Sequence, residues 1–229
     1  MRILAIDTAL PSVSVCVMDA GSTDALAVER AQMSRGHAEA LMPIVRSVVS
    51  MIEGGFGTLD RVAVSVGPGS FTGIRVGLAA ARAIGLARGI PVVGVSTLAA
   101  FAAPIIGAAG PDVVASSIDA RHGNLFLQVF DRGGRTIVTP RIVSIRDAVR
   151  TLGSGPVRLV GNGAPLMAIE AWSVGMEAEI DGEADAPDIA FVARLGLLAD
   201  PTYAPPRPLY LKAPDAKVAQ QSETLRAPV

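Results

Sequence analysis

Residues 61–96, RVAVSVGPGSFTGIRVGLAAARAIGLARGIPVVGVS, decide the fold. An apolar run from Arg61 to Val66 breaks at a turn rich in glycine, Gly67 to Gly73. The stretch from Phe71 to Arg88 then carries helical apolar spacing until Gly89 stops it, and Val92 to Val95 form a second apolar run. Short apolar runs flanking a helix mark strands and predict an α/β arrangement. A glycine just past the last helical residue supplies the left-handed C-cap. Toward the N-terminus, Ile3 to Asp7 are a short apolar run and Ser12 to Met18 alternate with the period of a half-buried strand. Gly21 to Asp24 predict a turn into a third strand, Ala25 to Arg30. Ser34 and Gly36 then open a helix that runs to about Ile52, with Leu41, Ile44, Val45, Val48 and Ile52 on one face. Pro43 is expected to kink it, because proline lacks the N–H the ladder needs. With a further helix from Ser96, the order is βββαβαβα.

Beyond the Gly/Ala/Pro stretch Pro104 to Pro111 the same order begins again. Strands are predicted near Val113 to Asp119, Leu125 to Asp131 and Arg135 to Val143. A helix capped by Ser144 runs to Leu152, followed by a strand at Val157 to Gly161 and helices at Ala164 to Trp172 and Pro187 to Leu198. The economical architecture is two related α/β lobes, residues 1–105 and 106–229, each with helices on a mixed sheet whose first three strands form a meander. Pro201, Pro205, Pro206 and Pro208 force extended chain, and the polar stretch after Pro214 is expected to be disordered at its end.

Composition narrows the functional classes. Among 229 residues, 20 basic against 21 acidic side chains leave a net charge of −1, so no global field draws the chain to nucleic acid or an anionic membrane. Half the residues are apolar and the mean hydropathy is +0.46, which excludes overall disorder. The oily stretches are nevertheless interrupted by Arg75, Arg82 and Arg88 within the roughly 20 residues a bilayer-spanning helix needs. Asp7 and Pro11 likewise interrupt an export signal. A single cysteine, Cys16, excludes a disulfide framework, and a reducing, cytoplasmic setting is expected.

Chemistry has few candidate places. Asp7 and Thr8 end the first strand, where open α/β sheets place ligands; Asp119, followed by Arg121 and His122, is the counterpart in the second lobe. Each aspartate can hold a magnesium-bound phosphate or simply cap its own turn. The GPGSFTG turn lets Ser70 or Thr72 cap a helix whose start is a potential anion site, although it has neither the lysine of a Walker loop nor the GxGxxG spacing. Only two histidines, His37 and His122, are present, and neither belongs to a metal-binding pair, so no metal site is expected. The acidic run Glu177, Glu179, Asp181, Glu183, Asp185 and Asp188 predicts a solvated loop. On the second long helix, Gly73, Gly77, Ala81 and Gly85 recur every four residues, with Ile74 and Leu78 beside them. Together with Met42, Val45, Val49 and Met51 of the preceding helix they predict an outward apolar face for protein association; the competing reading buries both helices in one core.

Six segments together resemble the bacterial TsaB (YeaZ) family over nearly the whole chain: ILAIDTA at Ile3 to Ala9, GPGSFTGIRVG at Gly67 to Gly77, GVSTL at Gly94 to Leu98, DAR at Asp119 to Arg121, GNG at Gly161 to Gly163 and PLYLKAP at Pro208 to Pro214. The family often has a glutamate shortly after DARxG; Asn124 stands here. The resemblance implies a duplicated actin/Hsp70-like, ribonuclease H-like fold. It also implies a noncatalytic partner of TsaD which, with TsaE, transfers threonylcarbamoyl from its adenylate to N6 of adenosine 37 in tRNAs reading codons that begin with A. By the same resemblance the chain has no cofactor of its own, ATP and a metal ion act in the partner subunits, and it meets tRNA through the complex. Its first two helices pair with TsaD, or with a second copy of the chain when TsaD is absent. The alternatives are a nucleotide-binding ATPase or kinase of the actin/Hsp70 superfamily resting on Asp7, Asp119 and Ser70, and a glycoprotease-like metallopeptidase.

Overall fold

The computed structural model describes residues 1–182 and 184–211; Glu183, the end of the PLYLKAP segment and the stretch after Pro214 lie outside the described residues. The elements are β1 (Arg2–Asp7), β2 (Ser12–Asp19), β3 (Ala27–Gln32), α1 (His37–Ser50), β4 (Arg61–Gly67), α2 (Phe71–Arg88), β5 (Val92–Ser96) and α3 (Thr97–Ala102). They are followed by β6 (Val113–Arg121), β7 (Asn124–Asp131), β8 (Thr136–Ser144), α4 (Ile145–Leu152), β9 (Val157–Val160), α5 (Ala164–Ser173), β10 (Ala178–Ile180) and α6 (Ile189–Leu198). The strands form two five-stranded sheets ordered β3-β2-β1-β4-β5 and β10-β9-β6-β7-β8. In the first, β1 pairs antiparallel with β2 and parallel with β4; in the second, β6 does the same with β7 and β9. A meander followed by two parallel crossovers, present twice, is the duplicated ribonuclease H-like arrangement the sequence led us to expect.

Local chemistry explains the element ends. The Ser70 hydroxyl accepts from the Gly73 N–H at the start of α2, and Gly89, at φ +65°, returns its N–H to the Gly85 and Leu86 carbonyls. Helix α1 runs through Pro43, which lies on its exposed side. Along β1 the faces separate cleanly. Leu4 and Ile6 join the core under α1 and α2, whereas Ile3 and Ala5 meet α6 on the other side of the sheet. β1 is therefore apolar on both faces because helices cover both, whereas the edge strands β3 and β8 are largely exposed.

Two features of the second half differ from the sequence reading. The acidic run is not one solvated loop. Glu179 lies within the edge strand β10, Asp181 is paired with the largely buried Arg158, Asp185 accepts from Gln32, and Asp188 caps α6 through the Ala190 N–H at 2.9 Å. A three-residue strand is too short to show a period, which is why it was missed. Helix α6, although late in the chain, packs on the first sheet. Ile189, Val192 and Ala193 pack with Ile3, Ala5, Ala63 and Val93, and Arg61 donates to the Gly196 and Ala199 carbonyls at 2.8 and 2.7 Å, where a cation meets the negative end of the helix dipole. Helix α3 bridges the halves: Leu98 and Phe101 share a core with Ile118, Phe126 and Phe130 of the second sheet.

The docking of α6 depends on Gly196, where a Cβ would overlap the Ala63 methyl group and stand 2.9 Å from Ile3 Cδ1. Gly196→Leu is expected to destabilise the protein by about 1–3 kcal/mol through overpacking, seen as an unfolding midpoint several degrees lower; an unchanged midpoint would show that α6 does not need this close approach.

Candidate functional site

The aspartates that end the two first strands make the same local turn. Asp7 Oδ1 accepts the Ala9 N–H at 3.0 Å and Asp119 Oδ1 accepts the Arg121 N–H at 2.8 Å. Their surroundings differ. Asp7 is fully buried, flanked by Ser14 on β2, with its second carboxylate oxygen unpartnered, and burial pushes its carboxyl well above the usual range, with only partial relief from the Ala9 N–H and Ser65. Thr8 is buried too and donates to the Gly73 carbonyl at 2.7 Å. Neither side chain lines the cleft between the lobes, so the suggested phosphate or magnesium role for Asp7 and Thr8 is corrected: Thr8 fastens β1 to α2, and Asp7 closes its own turn. Asp119 stays partly exposed. Its amide donates to Asn162 Oδ1 at 3.0 Å, and its carboxylate stands 3.6 Å from the exposed Arg121 guanidinium, a surface pair of small energetic consequence.

The cleft itself has a volume of about 430 Å³. Ala9, Leu10, Pro68, Gly69 and Ser70 of the first half line it, with Ile118, Asp119, Arg121, Phe126 and Asn162 of the second and Leu209 to Leu211 from the end of the described chain. Of the residues suggested for an anion, Ser70, Asp119 and Arg121 meet here, whereas Thr72 is exposed and outside it. The glycines of GPGSFTG serve close approach of backbone to backbone. A Cβ at Gly69 would collide with the Ala9 carbonyl and one at Gly73 with the Thr8 carbonyl, while the Ser70 N–H donates to Ala9 O at 2.7 Å. Among the described residues no three His, Cys, Asp or Glu side chains are grouped to hold a metal ion. No helix of the described residues is long and apolar enough to cross a membrane.

The expected association face is also corrected. Gly73, Ile74, Gly77, Leu78, Ala81 and Gly85 of α2, and Val45 and Val49 of α1, are buried in the chain's own core; of the expected set Met42 and Met51 face solvent. A Cβ at Gly77 would stand 2.5 Å from Thr8 Oγ1 and 3.4 Å from Val64, so the small-residue stripe exists to let α2 lie close on β1 and β4. An arginine at Gly77 would break the fold before it reported on any interface. The solvent-facing side of α2 is the opposite one. Arg75, Ala79, Arg82, Ala83 and Ala87 are exposed there, beside Leu86, which is 87% exposed. Met42 and Arg46 of α1 are exposed as well, as is Met51 at its end.

The residues that sequence reasoning missed are at the end of the described chain. Tyr210 stacks on Phe71 with ring centroids 5.0 Å apart and accepts from Arg75 Nε at 3.0 Å, while the Arg75 guanidinium lies 3.9 Å from the Phe71 ring. The sequence signals were two motifs, IR after GPGSFTG and PLYL, whose meeting no local spacing announces.

The family model described as "TsaD: tRNA N6-adenosine threonylcarbamoyltransferase" matches residues 8–172. The "tRNA threonylcarbamoyladenosine biosynthesis protein TsaB" of Escherichia coli K12 is 33% identical over 132 residues, 58% of this chain and 56% of that protein, so this match spans little more than half of the relative. An uncharacterised protein of Mycobacterium tuberculosis is 35% identical over 215 residues, covering 94% of this chain and 93% of its own. Among solved structures, YeaZ from Pseudomonas aeruginosa superposes with a TM-score of 0.73, at 23% identity, over 92% of this chain and 99% of that one, a likeness of fold.

The raised Asp7 carboxyl makes a signed prediction. A folded-state value above the ordinary 3.8 means that the native state holds a proton the unfolded chain has released, so stability is full below about pH 4 and falls as pH rises through the folded value. Asp7→Asn keeps the acceptor for Ala9 and removes the titration, so its unfolding midpoint is expected to lack that fall as pH rises above about 4. Parallel profiles for the two proteins would exclude a buried, protonated Asp7.

Proposed function

The chain belongs to the TsaB (YeaZ) family, and from that premise we propose that it acts in threonylcarbamoyladenosine synthesis on tRNA as the noncatalytic partner of a TsaD subunit, with TsaE completing the assembly in the cytoplasm. The observation that carries this reading is the outward side of the α1–α2 pair. Leu86, Ala79, Ala83 and Met42 present apolar surface on two rigid helices, bordered by Arg75, Arg82 and Arg46. Exposed apolar surface with a polar border is the usual character of a protein-binding face. The two-lobed match to the TsaD family model supports a partner built on the same fold, and a second copy of this chain is the natural occupant when that partner is missing. The burial of Asp7 and Thr8 favours this reading over a kinase or ATPase, because the first-lobe carboxylate such chemistry calls for does not face the cleft. ATP and the metal ion then act in the other subunits, and tRNA is met through the complex.

The test is reconstitution of tRNA modification from TsaD, TsaE, tRNA, ATP and the threonylcarbamoyl precursor, with and without this chain. Loss of modified adenosine on omission is expected, together with no nucleotide hydrolysis by the chain alone; full modification without it would overturn the proposal. Ala83→Glu and Leu86→Glu change exposed side chains, so their stability should stay within about 0.5 kcal/mol of wild type, while co-elution with TsaD is expected to be lost. Co-elution unchanged in both would move the interface elsewhere.

A further inference from the structure

After α6 the chain does not leave the body of the protein. It recrosses it in extended form, and each step is held by a specific contact. The Gly94 N–H donates to the Ala204 carbonyl at 2.9 Å, and a Cβ at Gly94 would stand 2.8 Å from Pro205 O, so β5 needs glycine there for the segment to pass. Arg82 of α2 donates to the Pro206 carbonyl. The Leu209 N–H donates to the Val66 carbonyl at 2.8 Å, at the end of β4, where Gly67 at φ +102° again leaves room. Tyr210 is gripped by Phe71 and Arg75, and Leu211 packs against the interlobe core that contains Leu98, Ile118 and Phe126. The segment is therefore a strap tied to the first sheet and to α2, ending on the core that joins the two halves.

Two of its ties come from arginines that stand in the solvent-facing side of α2. Arg75 and Arg82 lie about one and three turns along the helix from Phe71, beside Ala79 and Ala83, and both are exposed. Each donates to the strap from a single nitrogen of its guanidinium group, which carries five N–H donors in a planar fork. A long arginine side chain loses considerable rotamer freedom on binding. Here the strap has already restricted it.

We propose that residues 204–211 form part of the partner-docking surface, fixing Arg75 and Arg82 so that α2 presents an apolar patch between two preset cations to a partner whose facing surface is apolar and flanked by carboxylates. This rests on the reading of the α1–α2 face given above and adds to it that the face is composite, two helices and a strap. By linkage the strap and the partner stabilise each other: partner bound, the strap is held more tightly, and strap released, the partner binds more weakly.

Tyr210→Phe keeps the stack on Phe71 but removes the acceptor for Arg75, and Tyr210→Ala removes both. Amide hydrogen exchange and titration with TsaD are measured on the full chain. Tyr210→Ala is expected to speed exchange at Leu209 at least tenfold with β1 amides unchanged, and to weaken TsaD binding about three- to tenfold, with Tyr210→Phe between it and wild type. Arg75→Ala combined with Tyr210→Ala is expected to weaken binding no more than Arg75→Ala alone. Binding of wild type to TsaD with unaltered affinity in Tyr210→Ala, or additive losses in the double variant, would overturn the composite face while leaving the partnership intact. Failure of wild type to bind TsaD would overturn the partnership and the composite face with it.

Discussion

The close approach of α2 to its own sheet is the constraint on which most of the first half depends. Gly73, Gly77, Ala81 and Gly85 put nothing larger than a methyl group between the helix and β1, β4 and β5, so Thr8 can reach the Gly73 carbonyl and Ile74, Leu78 and Ile84 can sink into the core. Each such burial contributes roughly 1.5–3 kcal/mol. The same closeness seats the GPGSFTG turn against the end of β1, with the Ser70 N–H on the Ala9 carbonyl, and thereby shapes one wall of the interlobe cleft. What faces solvent on α2 is then decided by geometry alone: with the glycine stripe turned inward, the arginine and alanine side must turn out.

The two halves share a topology and diverge in the use they make of it. The Asx turns at Asp7 and Asp119 are the same device, yet one carboxylate is sealed beneath helices and the other opens to the cleft. Sealing Asp7 separates it from any ligand in the cleft and leaves it as a buried acid whose cost in stability depends on pH. The halves are also tied by more than one covalent link. Helix α3 shares its core with the second sheet, α6 returns to the first sheet, and the strap ends between them. A chain that crosses back in this way ties its halves together through packed cores as well as through the backbone.

Element order was legible from residues alone, because strands covered on both faces appear as unbroken apolar runs and the helices between them keep a 3.6-residue period. The doubled βββαβαβα pattern, the cap at Ser70, the stop at Gly89 and the turn at Gly67 to Gly73 are all local, and the structure contains them. The strand β10 escaped notice because three residues carry no period, and three of the acidic side chains around it are engaged in contacts that a composition count cannot register.

By itself, then, the sequence determined the class of fold, the repeated order of elements and the motifs of the family, since each of these rests on contacts between near neighbours in the chain. Only the tertiary structure decided which side of α2 is inside. A stripe of glycine and alanine permits close packing against any flat surface, and its own sheet and a foreign helix are equivalent until β1 and β4, some 60 residues apart in the chain, are brought together in register. The meeting of Arg75 with Tyr210, 135 residues along, was decided in the same way, by a path of backbone hydrogen bonds across β5 and β4 that no local spacing encodes.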